Sequence, residues 1–534
     1  MLAECPKIIH RHKDEIVMKK ILKDNKWFCI MLVAYSIYYL YRMFAMTPWY
    51  DELFTYLSFI DKGAWYSATH WPLPNNHVFF SMLASFFKIG GVYVGLRGVS
   101  WIAAVGTLIF LYAFFKRVFG LKIALAGVAC YTVLLASNKL AVQGRGYSLA
   151  TFFLALAIFS AYMIISNNAK KRYYVCFSIA LYLGLYTLMS SVYWVVPVCI
   201  CSGIMLLLLR KIKECLKLIL ASIISAGMTL VSYSVLWISM GAQQISADPN
   251  TEHYQAKLWD IIIEYPRTCW MLGFEYMLND GNLQSIGDRG VFLHDFKYFA
   301  RDILRTFFYA SSLNVWYIFL MIIFALLIAF VVALIWNLRK KNSEKVMQLY
   351  PMTLCSITFL VMFVILYVQC VYPFDRVFSF LGIWLATMFA VMLYGIRAVL
   401  NKIPAYEKIR PYMLGVNIVL FVGSILCLMI SPEHNKPYDN LDHYAYDAIQ
   451  HVDWENYATF AAIDAYSHQQ VRYHCVFKEK YELEESLTEP EIIIMKTDLS
   501  NQQWSNMMNA EQIAAWELEN RTIIYENEHY IVYR

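Results

Sequence analysis

Residues 27–52 read WFCIMLVAYSIYYLYRMFAMTPWYDE: twenty residues with no charge except Arg42, then Thr47-Pro48 and the acidic pair Asp51-Glu52. A stretch of roughly 20 mostly apolar residues is what a helix needs to cross the hydrocarbon core of a bilayer. The pattern recurs along the chain, over 90–114, 122–141, 147–166, 173–188, 190–209, 216–240, 313–337, 349–371, 377–396 and 411–430. Apolar residues make up 59% of the 534, charged residues only 16%, and the mean hydropathy is +0.46, so lipid is the solvent this composition fits. The expected fold is an all-α polytopic membrane protein with about eleven transmembrane helices.

The net charge of +6 does not mark a nucleic-acid partner, because the basic residues fall between apolar runs and not along one amphipathic face. They read as topology signals. With the amino terminus in the cytoplasm, the clusters Lys116/Arg117, Lys170/Lys171/Arg172, Arg210/Lys211/Lys213, Arg339/Lys340/Lys341 and Arg397/Lys402/Lys408/Arg410 all fall inside. The two spans divided only by Met189, Ser190 and Ser191 are the pair on which this count turns. Residues 1–26 then form a basic cytoplasmic tail with no small-residue cleavage site, and the first helix is an uncleaved anchor. Loops 47–89 and 241–312 and the tail 431–534 share the outer face, which places the chain in the cell membrane as a multi-pass protein with an extracytoplasmic carboxyl end.

Within the first outer loop, Leu53–Ile60 and Val78–Phe87 are apolar but too short to span, as expected of helices lying in the interface. The tail changes character: strand-like runs Ala458–Ile463, Glu491–Met495 and Thr522–Tyr533 alternate with polar helical stretches such as Ala510–Leu518, the pattern of a small α/β domain. The twelve cysteines show no metal spacing and read as small hydrophobes in packed helices.

Polar residues with chemical capability gather at the outer ends of helices. Asp51-Glu52 follows the first span, with His70-Trp71-Pro72-Leu73-Pro74 and Asn75-Asn76-His77 in the same loop. An acidic pair at the membrane surface near histidines suits a general base or a divalent metal site; the bland alternative is a solvated carboxylate, a helix cap or a lysine pair for Glu52. Between the third and fourth spans, Gln143-Gly144-Arg145-Gly146-Tyr147 sets a guanidinium between two glycines, which suits either a phosphate or lipid head groups. Tyr372-Pro373-Phe374-Asp375-Arg376 puts another arginine at an outer lip, for phosphate or for an ion pair with a loop acid. Arg97 lies inside the second span, where a charge pairs or functions. Asp288-Arg289 and Arg301 to Arg305 stand among aromatics, as a substrate wall or, more simply, an amphipathic surface helix.

These elements together resemble the GT-C superfamily of polyprenyl-phosphate-sugar glycosyltransferases, in particular its protein O-mannosyltransferase, aminoarabinose transferase and rhizobial lipopolysaccharide transferase group. The likeness rests on Asp51-Glu52, Pro72-Leu73 and Asn76-His77, the Gln143–Tyr147 run, Pro373–Arg376, and Leu96-Arg97-Gly98-Val99-Ser100 through Gly120, and it covers 27–430. It implies a lipid-linked sugar donor, an inverting transfer to an acceptor hydroxyl on a glycan, lipid or protein, and no nucleotide sugar. By the same resemblance Asp51 is the candidate base, with Glu52 beside it as the second catalytic carboxylate. Arg145, Arg376 and Tyr147 then hold the donor phosphate, and His70, Asn76, His77 and Arg97 line the substrate groove. Two positions depart from the family pattern: Gln143 stands where several relatives carry an acid, which bears on a possible divalent metal, and Val78 follows His77 where many have proline.

A lipid-linked sugar flippase or secondary transporter is the alternative of a different class, since multiple spans and an intramembrane arginine suit it too. Transporters place binding groups near the midplane on broken helices, whereas these clusters sit at outer helix ends. A polysaccharide polymerase or ligase would share the donor chemistry.

Overall fold

The computed structural model describes residues 24–70, 76–166, 168–247, 263–279, 286–308, 313–340, 342–403, 413–430, 440–477, 483–498 and 513–534. A helix stands at each of the eleven expected positions. The first, α1 (Lys26–Ala45), is followed by three short helices of the first loop, α2 (Tyr50–Thr55), α3 (Ala64–Thr69) and α4 (Val78–Phe87). The bundle continues through α5 (Val92–Phe119), α6 (Leu121–Val133), α7 (Leu135–Ala141), α8 (Tyr147–Ile165), α9 (Lys171–Thr187), α10 (Val192–Leu208) and α11 (Ile212–Ala247). After α12 (Tyr265–Asn279) and α13 (Arg289–Arg305) come α14 (Leu313–Arg339), α15 (Ser343–Gln348), α16 (Tyr350–Gln369), α17 (Leu381–Leu400) and α18 (Met413–Ile430).

Eleven expected spans are therefore matched helix for helix but not crossing for crossing. Among the described residues seven helices are long and apolar enough to cross a bilayer, or eight if α6 and α7 form one bent span. That bend corrects the single helix expected over 122–141. The chain turns by 75° at Leu134, whose backbone is extended. A break in a membrane helix survives only where the freed backbone groups find partners. Here Leu135 N–H donates to Phe307 O, Asn138 Nδ2 donates to Thr132 O, and the buried Arg42 of α1 donates to Asn138 O. The break aims the chain after α7 back toward α5 and α2.

The bundle core is apolar and interlocked, with close approaches wherever a glycine meets a ring. Gly184 of α9 is one: a Cβ there would fall 2.5 Å from the ring of Trp194 on α10, which is fully buried. The motif Asp288 caps α13, accepting from Gly290 N–H and Val291 N–H, and Phe292 and Ile303 are buried while Arg301 and Asp302 pair on the exposed side. The amphipathic reading of that segment stands.

The tail folds as a small sheet layered with helices α19 (Asn440–Gln450) and α20 (Ala465–Phe477). Strands β1 (Thr459–Ala462), β2 (Glu484–Glu485), β3 (Ile492–Lys496), β4 (Ile523–Glu526) and β5 (Tyr530–Tyr533) lie in the order β2-β1-β3-β5-β4. β1 is parallel to β2 and β3, and β5 is antiparallel to β3 and β4. The expected run Thr522–Tyr533 is thus a hairpin of two strands. β3 is buried along its whole length because both faces are covered: Ile492 and Ile494 pack with Ala445, Ile449 and Val471 of the helices, Ile493 and Met495 with Trp516.

The Gly184–Trp194 contact gives a direct check. Gly184→Ala overpacks the α9–α10 pair, an error that costs about 1–3 kcal/mol. The thermal midpoint in detergent should fall by several degrees; an unchanged midpoint would mean that α9 and α10 do not approach so closely.

Candidate active site at the end of the first helix

The short helix α2 starts just after Pro48, and its first turn holds both acids on different sides. Consecutive helical residues point about 100° apart, so Glu52 turns into the bundle while Asp51 turns toward the rim.

Glu52 is fully buried and fully engaged. Arg97 Nε donates to its Oε1 at 2.9 Å and Nη2 to its Oε2 at 2.8 Å, Trp49 N–H donates to Oε2 at 2.9 Å, and Gly144 N–H donates to Oε1. Arg97 spends its other donors on the carbonyls that end α1, with Nη1 reaching Met43 O and Met46 O and Nη2 reaching Thr47 O. All five guanidinium protons are placed. Arg97 therefore does not line a groove, as expected from the sequence, but closes a buried ion pair whose residues are 0% exposed on both sides. Glu52 likewise has no oxygen free for proton transfer; its capping alternative is what the structure contains.

Asp51 behaves differently. Its Oδ2 lies 3.3 Å from Arg376 Nη2 and 3.9 Å from Arg145 Nη2 and has no hydrogen-bond partner. The Asp51 side chain is 11% exposed and that of Arg376 20%, so these two are less enclosed than Glu52 and Arg97, although Asp51 Oδ2 itself is buried. Arg376, in the one-turn helix Asp375–Phe378 before α17, also lies over the rings of Trp49 and Phe374 at 5.2 and 4.5 Å. Its alternative, an ion pair with Asp375 or another loop acid, is met by Asp51, and Arg376 N–H also donates to Asp375 Oδ1.

Arg145 is almost wholly buried and is aimed by three groups. Nη1 donates to Thr55 Oγ1 at 2.6 Å and Asp51 O at 3.2 Å, and Nη2 lies 3.2 Å from His77 Nε2. The loop before α8 lies against α5, with Ser100 Oγ donating to Gln143 O and Ser148 Oγ to Ser100 O. Gly144 is required there, since a Cβ would stand 2.6 Å from Leu96 O. Gly146 N–H donates to His77 Nδ1 at 2.7 Å, and the Tyr147 ring meets His77 edge-on at 5.1 Å. Burial, then the guanidiniums of Arg145 and Arg376, push the His77 imidazole well below its ordinary 6.5, so it is neutral.

The other two loop residues serve the loop itself. Asn76 is buried, donating to Ser67 O and His70 O and accepting from Ser81 Oγ. His70 stacks on Tyr66 at 3.6 Å with Nδ1 near Tyr66 O, and burial lowers its pKa. Trp71–Asn75, which includes Pro72-Leu73, lies outside the described residues. Tyr147 lines a small cavity with Tyr39, Tyr131, Ser137 and Ser379. Asp51, Arg145, Arg376, His77 and Tyr147 are thus brought together; Glu52 and Arg97 form the wall behind them, and His70 and Asn76 brace the loop.

Sequence reasoning missed Thr55, Trp49 and Ser100. Thr55 was within reach, because it follows Asp51 by four residues on one helix face; Trp49 and Ser100 carry no local signal for their partners. As for a metal, no group of three or more His, Cys, Asp and Glu able to hold an ion occurs among the described residues. The donor set also fits a cation poorly, since an ion at Asp51 would compete with two guanidiniums.

The chain is a multi-pass membrane protein, largely helical with a small carboxyl-terminal sheet, and solved structures share its fold. ArnT from Cupriavidus metallidurans bound to undecaprenyl phosphate shares this fold with a TM-score of 0.53 at 10% identity, over 95% of this chain and 98% of that one. The same protein in the apo state gives 0.51 at 10% identity over the same shares. The apo oligosaccharyltransferase of Archaeoglobus fulgidus gives 0.46 at 11% identity, over 89% of this chain and 70% of that one. No family model and no curated protein matches the chain.

Two outcomes are expected. Glu52→Gln leaves Arg97 as an uncompensated buried charge and should cost about 3–5 kcal/mol in a denaturant titration, whereas Asp51→Asn, at the less enclosed edge, should cost far less. A smaller loss for Glu52→Gln than for Asp51→Asn would reverse the assignment. Because the folded pKa of His77 is depressed, protonation favours the unfolded chain: its contribution is complete above about pH 6.5 and is lost as pH falls below that. The drop in thermal midpoint from about pH 7 to about pH 5 should therefore be shallower in His77→Asn; an equal slope would remove His77 as its source.

Proposed function

We propose that this protein is a membrane glycosyltransferase that moves a sugar from a polyprenyl-phosphate donor to an acceptor hydroxyl, with inversion, at the outer face of the cell membrane. The observation that carries the reading is the Asp51 carboxylate held against two guanidiniums, of which that of Arg376 is partly exposed. With His77 neutral and Glu52–Arg97 closed on itself, the charges of Asp51, Arg145 and Arg376 sum to one positive charge. An anion of the size of a phosphate monoester or diester is the complementary ligand. The shared fold of ArnT bound to undecaprenyl phosphate supports a lipid-linked phosphate as that anion.

In this reading the acceptor O–H gives its proton to Asp51 as its oxygen attacks the anomeric carbon. The bond from that carbon to the phosphate oxygen breaks, and the polyprenyl phosphate leaves with the electron pair. Arg145 and Arg376 hold the leaving phosphate, where charge grows in the transition state and a poorly solvated site strengthens the contact. Thr55 and the Asp51 carbonyl fix the Arg145 fork, Trp49 and Phe374 fix that of Arg376, and Tyr147 buttresses His77. Glu52 acts by orienting α2. The cytoplasmic amino terminus, the membrane-embedded body at 27–430 and the extracytoplasmic tail at 431–534 follow from the distribution of basic residues and put this site on the outer side. The flippase reading loses its main support, since Arg97 is consumed by Glu52.

The test is a panel of radiolabelled polyprenyl-phosphate sugars offered to the protein in nanodiscs with acceptor extracts. One donor should be consumed, and Asp51→Asn should lose about 100-fold to 10,000-fold of that turnover while still binding undecaprenyl phosphate. Arg376→Gln should weaken undecaprenyl phosphate binding. Full turnover by Asp51→Asn would dismiss it as the base, and donor binding without any turnover in the wild type would favour a flippase.

A further inference from the structure

The carboxyl-terminal layer lies on the segment that carries Asp51. Gln470 of α20 is buried, and its Nε2 donates to Pro48 O at 2.9 Å and to Asp442 Oδ1 of α19 at 3.3 Å, so one amide joins two residues 422 positions apart in the chain with a third. Both neighbours are acceptors, which fixes the orientation of the amide. One turn before it the Tyr466 ring stands 5.2 Å from that of Tyr50, and one turn after it Tyr473 meets Tyr56 edge-on at 6.1 Å. Residues 466, 470 and 473 follow helical spacing, so a single face of α20 reaches Pro48, Tyr50 and Tyr56. Thr47 Oγ1 and His443 Nδ1, 3.3 Å apart, extend the contact to α19.

Pro48 precedes the first residue of α2, and its carbonyl takes no part in the ladder of that helix. Its direction is set from outside. Glu52, through Arg97, and Asp51 O and Thr55 Oγ1, through Arg145, pin α2 from the bundle side. We propose that Gln470 is a positioning residue for Asp51: by holding Pro48 O it supplies a further anchor, and the carboxyl-terminal layer thereby sets the distance of Asp51 from the two guanidiniums. The inference rests on the reading of Asp51 as the base. A displacement of about 1 Å at a reacting group can cost on the order of 100-fold in rate, so a remote amide can control turnover without touching substrate.

The test uses the full chain in nanodiscs, as wild type, Gln470→Leu and Gln470→Glu, with three readouts: hydrogen exchange by segment, undecaprenyl phosphate binding, and kcat and KM for the donor that the wild type consumes. Gln470→Leu should lower kcat by about 10-fold to 100-fold, leave undecaprenyl phosphate affinity within about twofold, and speed exchange in 49–57 while the bundle helices stay protected. Gln470→Glu can donate to Pro48 O only when protonated, and burial beside Asp442 favours that form. Its kcat relative to wild type should rise as pH falls, while the ratio for Gln470→Leu stays flat. Wild-type kcat with unchanged exchange in Gln470→Leu overturns the proposal, as does a loss spread evenly over binding, turnover and exchange of the whole bundle. If the wild type turns over no donor, the base reading fails, and exchange in 49–57 alone decides whether Gln470 anchors α2.

Discussion

The ion pair between Arg97 and Glu52 is the contact from which the rest of the site takes its geometry. An arginine inside a membrane helix is costly unless every donor is met, and here the five protons go to one carboxylate and three carbonyls. Those acceptors belong to the end of α1 and the start of α2, while Gly144 brings the loop before α8 onto the same carboxylate. Three segments distant in sequence are thereby fixed at one point. Since Glu52 cannot turn without stranding Arg97, its neighbour Asp51 faces about 100° away from it.

From that point outward the charges become less enclosed in steps. Arg97 and Glu52 are sealed, Arg145 is nearly so, and Asp51 and Arg376 are less enclosed. Burial keeps His77 uncharged despite its position among cations, so it adds shape and not charge.

The bend at Leu134 and the docking of α20 serve the same region from opposite sides. A straight helix over 122–141 would carry Arg145 away from α2; the 75° turn returns it. The turn is stable because Asn138, Phe307 and Arg42 take up the backbone groups it releases. On the other side, tyrosines of α20 lie on Tyr50 and Tyr56, so the last hundred residues are built onto the loop after the first helix.

The sequence by itself determined the solvent, the helix positions and the gathering of acids and arginines at helix ends, because apolar length and charge placement are local properties of the chain. It also marked the strands of the tail, through runs such as IIIM at 492–495. It favoured Asp51 over Glu52 and offered Glu52 a capping role, but it did not show which way each carboxylate turns once a helix sets them about 100° apart. Only the tertiary structure decided that Arg97 belongs to Glu52, that Arg145 and Arg376 belong to Asp51, that the third span is broken, and that Gln470 touches Pro48. Each of these is a pairing across many residues, set by three-dimensional packing and by the need to satisfy buried polar groups, and neither leaves a periodic trace in the chain.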